Sequence, residues 1–284
     1  MARAVFSSPT FKRVVSLTQA VNACDNDGKN ALWYAVESSV CHNVRLLLAA
    51  GANPNFENFD GPPDEGNAFA TAAMLGHKRI VAVLLDAGAN IDAGAMPGGT
   101  ALCRALVMKH HHIARYLLNR GAAIEHISSM PHCPPIFSSA LCAASSSGFM
   151  DIVDELLARG AAVEGVTYGH ACGLGDTPLR PLLAACHAGH AGIASILLDH
   201  GAEIDGDEHA LLTPLSAACA SGHYATVKLL LERGASIVAH GRYIHFERKV
   251  DQSIIDLLTH VRPSFQLRRT QFWFTRYAPG NESE

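Results

Sequence analysis

The chain has 284 residues and a formal net charge of −4, with 49 % hydrophobic and 17 % charged residues. That composition supplies enough apolar material for a continuous core and exerts no global pull toward nucleic acid. No apolar run approaches the roughly 18 residues of a membrane span, and no basic-then-apolar leader with a small-residue cleavage site opens the chain, so no secretory signal is expected.

In chain order, Phe11 to Ala23 reads first as a helix, with Val14, Val15, Leu17 and Val21 as its apolar positions. One phrase then recurs six times: two leucines, two variable residues, and Gly-Ala. It stands at Leu47-Leu48/Gly51-Ala52, Leu84-Leu85/Gly88-Ala89, Leu117-Leu118/Gly121-Ala122, Leu156-Leu157/Gly160-Ala161, Leu197-Leu198/Gly201-Ala202 and Leu230-Leu231/Gly234-Ala235. Its glycines are separated by 37, 33, 39, 41 and 33 residues. A period near 33 with occasional excess means a stack of like units rather than a body with one central core.

The sixth unit shows the plan. Thr213-Pro214-Leu215 opens a helix, because Thr caps the first amides and Pro is tolerated in the first turn. The small residues Ser216 to Ser221 let neighbouring helices approach closely. Gly222-His223 ends that helix, with Gly able to take the left-handed cap. Val227, Leu230 and Leu231 then mark a second helix, which Arg233-Gly234 closes before an extended finger.

In the fifth unit two openers compete. Thr177-Pro178-Leu179 has the right composition, whereas counting back from Gly189-His190 places the start at Arg180-Pro181-Leu182. Beyond the last unit, Val250 to Val261 is a second terminal helix after an unusual finger, His240 to Glu247. The boundaries expected are therefore a leading cap over 1–23, six units at about 24–56, 57–93, 94–126, 127–165, 166–206 and 207–239, a closing cap over 240–263, and a tail over 264–284.

These phrases resemble the ankyrin repeat, whose pattern runs Thr-Pro-Leu-His, Ala-Ala, Gly-His, a leucine run and Gly-Ala-Asp. The matching segments include Asn30-Ala31-Leu32, Ala72 to His77, Thr100-Ala101-Leu102, Ala140 to Ala144, Gly189-His190 and Gly222-His223. The resemblance implies an all-α solenoid of right-angled helix–turn–helix units with β-hairpin fingers, several of them lengthened, and a concave face of fingers and first helices. It also implies that His77, His110, His190 and His223 are structural. The position that is His in the family pattern holds Trp33, Ala70, Cys103, Cys142, Leu183 and Ser216 here, so a less regular and less stable stack is expected.

Three fingers exceed the period, near residues 56–67, 126–138 and 165–179. Insertions in solenoids fall on one face, often the binding face. They carry Phe59-Asp60, His132-Cys133 and Tyr168-Gly169-His170-Ala171-Cys172. His132, Cys133, His170 and Cys172 have zinc-ligand chemistry, but the spacings are not those of paired ligands, so neither metal nor cofactor is expected. His110-His111-His112 reads as a solvated corner. Of the eight cysteines, Cys103, Cys142, Cys186 and Cys219 fall in helices at small-residue slots, pointing to reduced thiols in cytoplasm or nucleus.

Family positions for the groove fall on Glu37-Ser38, Met74-Leu75, Val107-Met108, Ser146-Ser147, His187 and Ala220-Ser221. This strip is small or apolar, suiting a peptide or a small apolar ligand better than nucleic acid. Expected binding residues are Trp33, Glu37, Phe59, Asp60, Met74, Met108, His132, Cys133, Tyr168, His170, His187 and Trp273. Trp273 lies in a basic, aromatic run, Arg268 to Tyr277, read first as packing on the last repeats or into the groove, with binding of a phosphate-bearing ligand, a membrane surface or nucleic acid by charge and stacking as the alternative. The leading expectation is a non-enzymatic scaffold for a protein partner. The alternative is an unusual enzyme or small-molecule binder, with acid–base chemistry of a cyclase or hydrolase at His170, His187, Tyr168, Asp176 and His132.

Overall fold

The computed structural model describes residues 21–26, 28–56, 67–95, 99–125, 139–165, 179–206, 212–239, 242–243 and 251–261. Six helix pairs follow one another: α1 (Ala31–Glu37) with α2 (Cys41–Ala49), α3 (Ala68–Met74) with α4 (Lys78–Asp86), and α5 (Ala101–Val107) with α6 (His111–Asn119). Then come α7 (Ala140–Ser147) with α8 (Met150–Ala158), α9 (Pro181–Ala188) with α10 (Ala191–Asp199), and α11 (Pro214–Ala220) with α12 (Tyr224–Glu232). A closing helix α13 (Gln252–Val261) packs on α12.

The first helices begin where the sequence supplies a cap. Side chains of Asn30, Asn67, Thr100, Ser139 and Thr213 each accept a hydrogen bond from the backbone N–H three residues on. Each such cap is worth about 1 kcal/mol. Ser216 completes a reciprocal capping box with Thr213. In the fifth unit the start is at Arg180, as the count from Gly189-His190 requires, and Arg180 gives no side-chain cap. Its guanidinium bonds Glu164 and Glu203 instead.

First helices are short and rich in Ala, Cys and Ser, so they stack at close range. Successive first helices touch all along the array, and every residue of Ala68–Ala73, Ala101–Leu106 and Ala140–Ser145 is buried. Second helices are amphipathic: Ile80, Val81 and Leu84 are buried in α4, and Ile113, Ala114, Leu117 and Leu118 in α6. Truncating one of these leucines to Ala costs about 2–5 kcal/mol. Among the second helices, α2 with α4, α8 with α10 and α10 with α12 are the closest neighbours.

The turn inside each pair needs a left-handed residue. Gly76, Gly148, Gly189 and Gly222 supply it with φ of 82°, 86°, 80° and 78°, but Ser39 and Lys109 occupy the same turn with φ of 58° and 60°. A side chain in that region costs about 1–2 kcal/mol.

A second regularity runs through the finger bases. One side-chain oxygen per unit accepts the backbone N–H of the next finger. The rungs are Asn22 to Asn53 at 2.8 Å, Asn55 to Asn90 at 2.6 Å and Asp92 to Ala123 at 2.7 Å. They continue as Glu125 to Ala162 at 3.0 Å, Glu164 to Glu203 at 2.8 Å and Asp205 to Ser236 at 2.8 Å. From Asn55 onward each acceptor stands four residues after the unit's Gly, and the series stops at Val238, which cannot accept.

Among the described residues, paired strands appear at two fingers. Strand β1 (Gly94–Ala95) pairs antiparallel with β2 (Gly99–Thr100), and β3 (Val238–Ala239) with β4 (Arg242–Tyr243). The latter pair brackets the start of the unusual finger ahead of α13. That helix begins at Gln252, with Asp251 accepting the Ser253 N–H at 2.9 Å. Of the expected leading helix, only Val21 to Ala23 are described, and they form a turn rather than helix. Asn22 there accepts the first rung. The tail over 264–284 lies outside the described residues.

Candidate binding groove

In the second to sixth units nearly all of each first helix is consumed by the stack, so only its C-terminal end meets solvent; in the first, Ala31, Trp33 and Tyr34 are half-buried as well. Those ends form one row. Glu37 is half-buried and Ser38 exposed, Met74 half-buried and Leu75 38 % exposed, Val107 half-buried and Met108 51 % exposed. Ser146, Ser147, His187 and Ser221 are half-buried and Ala220 is exposed. The apolar members concentrate in the second and third units. Met74 is also tied to Arg104, whose Nη1 lies 3.5 Å from the Met74 sulfur.

His187 is the one titratable member of the row beyond Glu37. Its Nδ1 lies 3.2 Å from Ser221 Oγ, and its carbonyl oxygen accepts from His223 Nε2 at 3.0 Å. Burial, and then the neighbouring His223 charge, hold its pKa below the ordinary 6.5. A ring that stays neutral and is occupied by one serine positions a helix end. His110 bonds the preceding unit as His223 does: its Nε2 lies 2.9 Å from the Met74 carbonyl oxygen.

The tract at 110–112 divides. His110 takes the structural bond, and His111 pairs with Asp151 at 2.7 Å beside Arg115. His112 stays exposed. Trp33 is half-buried, with the Lys29 ammonium 4.4 Å from its ring centroid.

Of the residues expected to bind, Trp33, Glu37, Met74, Met108 and His187 are described, and all but Trp33 fall on the row. Phe59, Asp60, His132, Cys133, Tyr168, His170 and Trp273 lie outside the described residues, as do Cys172 and Asp176. Among the described residues, no group of three or more His, Cys, Asp or Glu is arranged to hold a metal. No described helix is long and apolar enough to cross a membrane. Sequence reasoning missed the finger-base rungs, although the acceptor four residues after each Gly was visible.

A sequence model of ankyrin repeats, in three copies, matches residues 42–128 and 140–240. The chain belongs to the ankyrin repeat family. It is 33 % identical over 119 residues to human ankyrin repeat and SOCS box protein 14, covering 41 % of this chain and 19 % of that protein. It is 34 % identical over 170 residues to ankyrin repeat and KH domain-containing protein mask-1 of Caenorhabditis elegans, covering 57 % of this chain and 6 % of that one. The chain thus spans less than a fifth of either relative. The crystal structure of the human ASB11 ankyrin repeat domain superposes with a TM-score of 0.60 at 22 % identity, over 80 % of this chain and 97 % of that one. Ankyrin repeat domains are in general protein–protein interaction modules, and this ankyrin repeat protein is mostly helical in the same way.

Proposed function

We propose that this chain is a non-catalytic scaffold that holds a segment of another protein along the row of first-helix ends and the finger surfaces beside it. The observation that carries the proposal is the exposure of Leu75 and Met108, at 38 % and 51 %, on adjacent units whose first helices are otherwise buried. The stack gains nothing from leaving them in water, whereas an apolar peptide face covering them does. Glu37 and Trp33 flank one end of the site and His187 and Ser221 the other. The work is done in a reducing compartment, cytoplasm or nucleus; in support, Cys103, Cys142, Cys186 and Cys219 serve singly as small packing residues between helices.

A photo-crosslinking side chain placed at Met108 tests the reading against the same group at Ala225, exposed on a second helix. Protein adducts at Met108 and few at Ala225 are expected, with loss of the Met108 adducts when Leu75 is changed to Asp. Equal labelling at both positions, or none at Met108, overturns the proposal.

A further inference from the structure

The second helices and their preceding turns are not uniform in charge. Across the first three units they carry His42, Arg45, Lys78, Arg79, Lys109 and His112 in exposed positions. Over residues 38–50, 75–87 and 108–120 the only acid is Asp86, which Arg120 engages at 3.4 Å. His111 and Arg115 are paired to Asp151 of the fourth unit, where the sign reverses to Asp151, Asp154 and Glu155. Arg45, Arg79 and Lys109 have no ion-pair partner among the described residues.

Two of these placements run against local preference. Lys78-Arg79 occupy the first turn of α4, where the helix macrodipole disfavours cations and Asp or Glu is preferred. Lys109 occupies the left-handed turn, φ 60°, that four other units fill with Gly. The partner side of that turn has changed as well. Where Gly76, Gly148 and Gly189 each lie under the imidazole of the next unit, the unit after Lys109 carries Phe149, whose ring packs on His111 at 5.1 Å. Backbone strain and dipole repulsion are both retained for a cation at this edge, and such local misfits point to function rather than folding.

We infer that this turn edge of units one to three is a docking surface for an acidic polypeptide segment from another protein. The charge is complementary to carboxylates, and second helices of neighbouring units lie about 10 Å apart, a spacing that an extended acidic peptide crosses in about three residues. Exposed Leu75 and Met108 border the cations, so the surface recognises carboxylates mixed with large apolar side chains. A bare phosphate backbone has no use for those neighbours. The inference shares Leu75 and Met108 with the groove reading, and what it adds rests on the charge row beside them.

Selection of random short peptides on the whole protein tests it, with counter-selection on an Arg79→Gln/Lys109→Gly variant. The selected pool is expected to be enriched in Asp and Glu with Leu, Phe or Trp. It should bind about tenfold more weakly to the double variant, and more weakly to the native protein as salt rises from about 0.05 M to about 0.3 M. Lys109→Gly alone removes the strained side chain, so it should raise the melting temperature by about 2 °C while weakening the pool. That combination separates docking from a structural role. A pool without acidic enrichment, or unchanged binding by the double variant, overturns the inference. So does tighter binding of a short single-stranded oligonucleotide than of the pool. Met108→Asp in parallel reports on the groove: loss there with the charge variants unaffected would sink this inference and leave the groove standing.

Discussion

His223 reaches across the stack to cap its neighbour's helix end: Nε2 lies 3.0 Å from the carbonyl oxygen of His187. The imidazole passes directly over Gly189, where an added Cβ would sit 2.5 Å from His223 Nδ1. His110 repeats the arrangement on Met74 and Gly76. Gly and His in this phrase are therefore one device spread over two units: the glycine leaves room for the next unit's imidazole, and the imidazole satisfies the carbonyl two residues before the glycine.

Gly189→Ala should consequently cost more than Gly234→Ala. Both positions have left-handed φ, 80° and 93°, so both substitutions carry the same backbone strain. Only at Gly189 does the methyl also displace an imidazole, whereas nothing lies within 4 Å of the added atom at Gly234. The expected difference is about 1–2 kcal/mol, the worth of a lost hydrogen bond to a carbonyl left unpaired. His223→Ala should cost a similar amount and should abolish the difference between the two glycine variants. Urea titrations of the wild type, the three single variants and the two glycine variants combined with His223→Ala check this.

The rungs at the finger bases make a different demand, for an acceptor and not for a charge. Asn22 and Asn55 accept through Oδ1 as Asp92 and Asp205 do. Asp92→Asn should therefore be nearly neutral, and Asp92→Ala should cost about 1–2 kcal/mol because the Ala123 N–H loses its partner. Equal loss in the two variants, read by thermal melts at low and high salt, would make the rung an electrostatic effect instead.

How much of this was legible depended on the range over which the cause acts. The helix pairs, the closing helix and the start of the fifth unit at Arg180 follow from local signals: leucine spacing, caps, and a glycine where φ turns positive. The role of the Gly-His histidines came with the family resemblance, because a bond from His223 to His187 spans units that no local pattern connects. The rungs had a legible half, the Asp, Asn or Glu four residues after Gly. Their donor half is a backbone amide and leaves no mark in sequence. The groove row was legible from position, but which members stay exposed was not. Met108 and Leu75 are apolar residues that the periodicity assigns to burial as readily as to the surface. The weak stack expected from the missing family histidine has two compensations in view, the capping bonds and the rungs.

Acid should loosen the stack by way of His187. Burial and then the His223 charge hold its folded pKa below 6.5, so the unfolded chain binds the proton more tightly. Stability is then full above about pH 6.5, drains as pH falls from there toward the depressed value, and levels off below it. His77, half-buried and near His110, adds in the same direction. His187→Gln should flatten the dependence of melting temperature on pH between about 7.5 and 5. A wild-type curve that parallels the variant's across that window would remove His187 as a contributor.

Thiol reactivity gives a direct reading of how well the stack excludes water. Cys24 is exposed and Cys41 half-buried, whereas Cys103, Cys142, Cys186 and Cys219 are buried in first helices. Burial pushes the Cys103 thiol up to about 11 and the Cys219 thiol to about 12, and raises Cys186 further still. The thiolate is the reactive form, so among the described cysteines alkylation at neutral pH should label Cys24 first, Cys41 more slowly, and the four buried ones only on unfolding. Peptide mapping by mass spectrometry over a urea series makes the order visible. Because each buried thiol belongs to a different unit, the series also shows whether units three to six open together or in sequence. Labelling of Cys219 before Cys142 would mean that the array frays from its closing helix, as expected for a stack whose stability is a sum of neighbour contacts. Labelling of the four buried thiols in native buffer at the rate of Cys24 would contradict the packed first-helix layer on which the exposed row of Leu75 and Met108 depends.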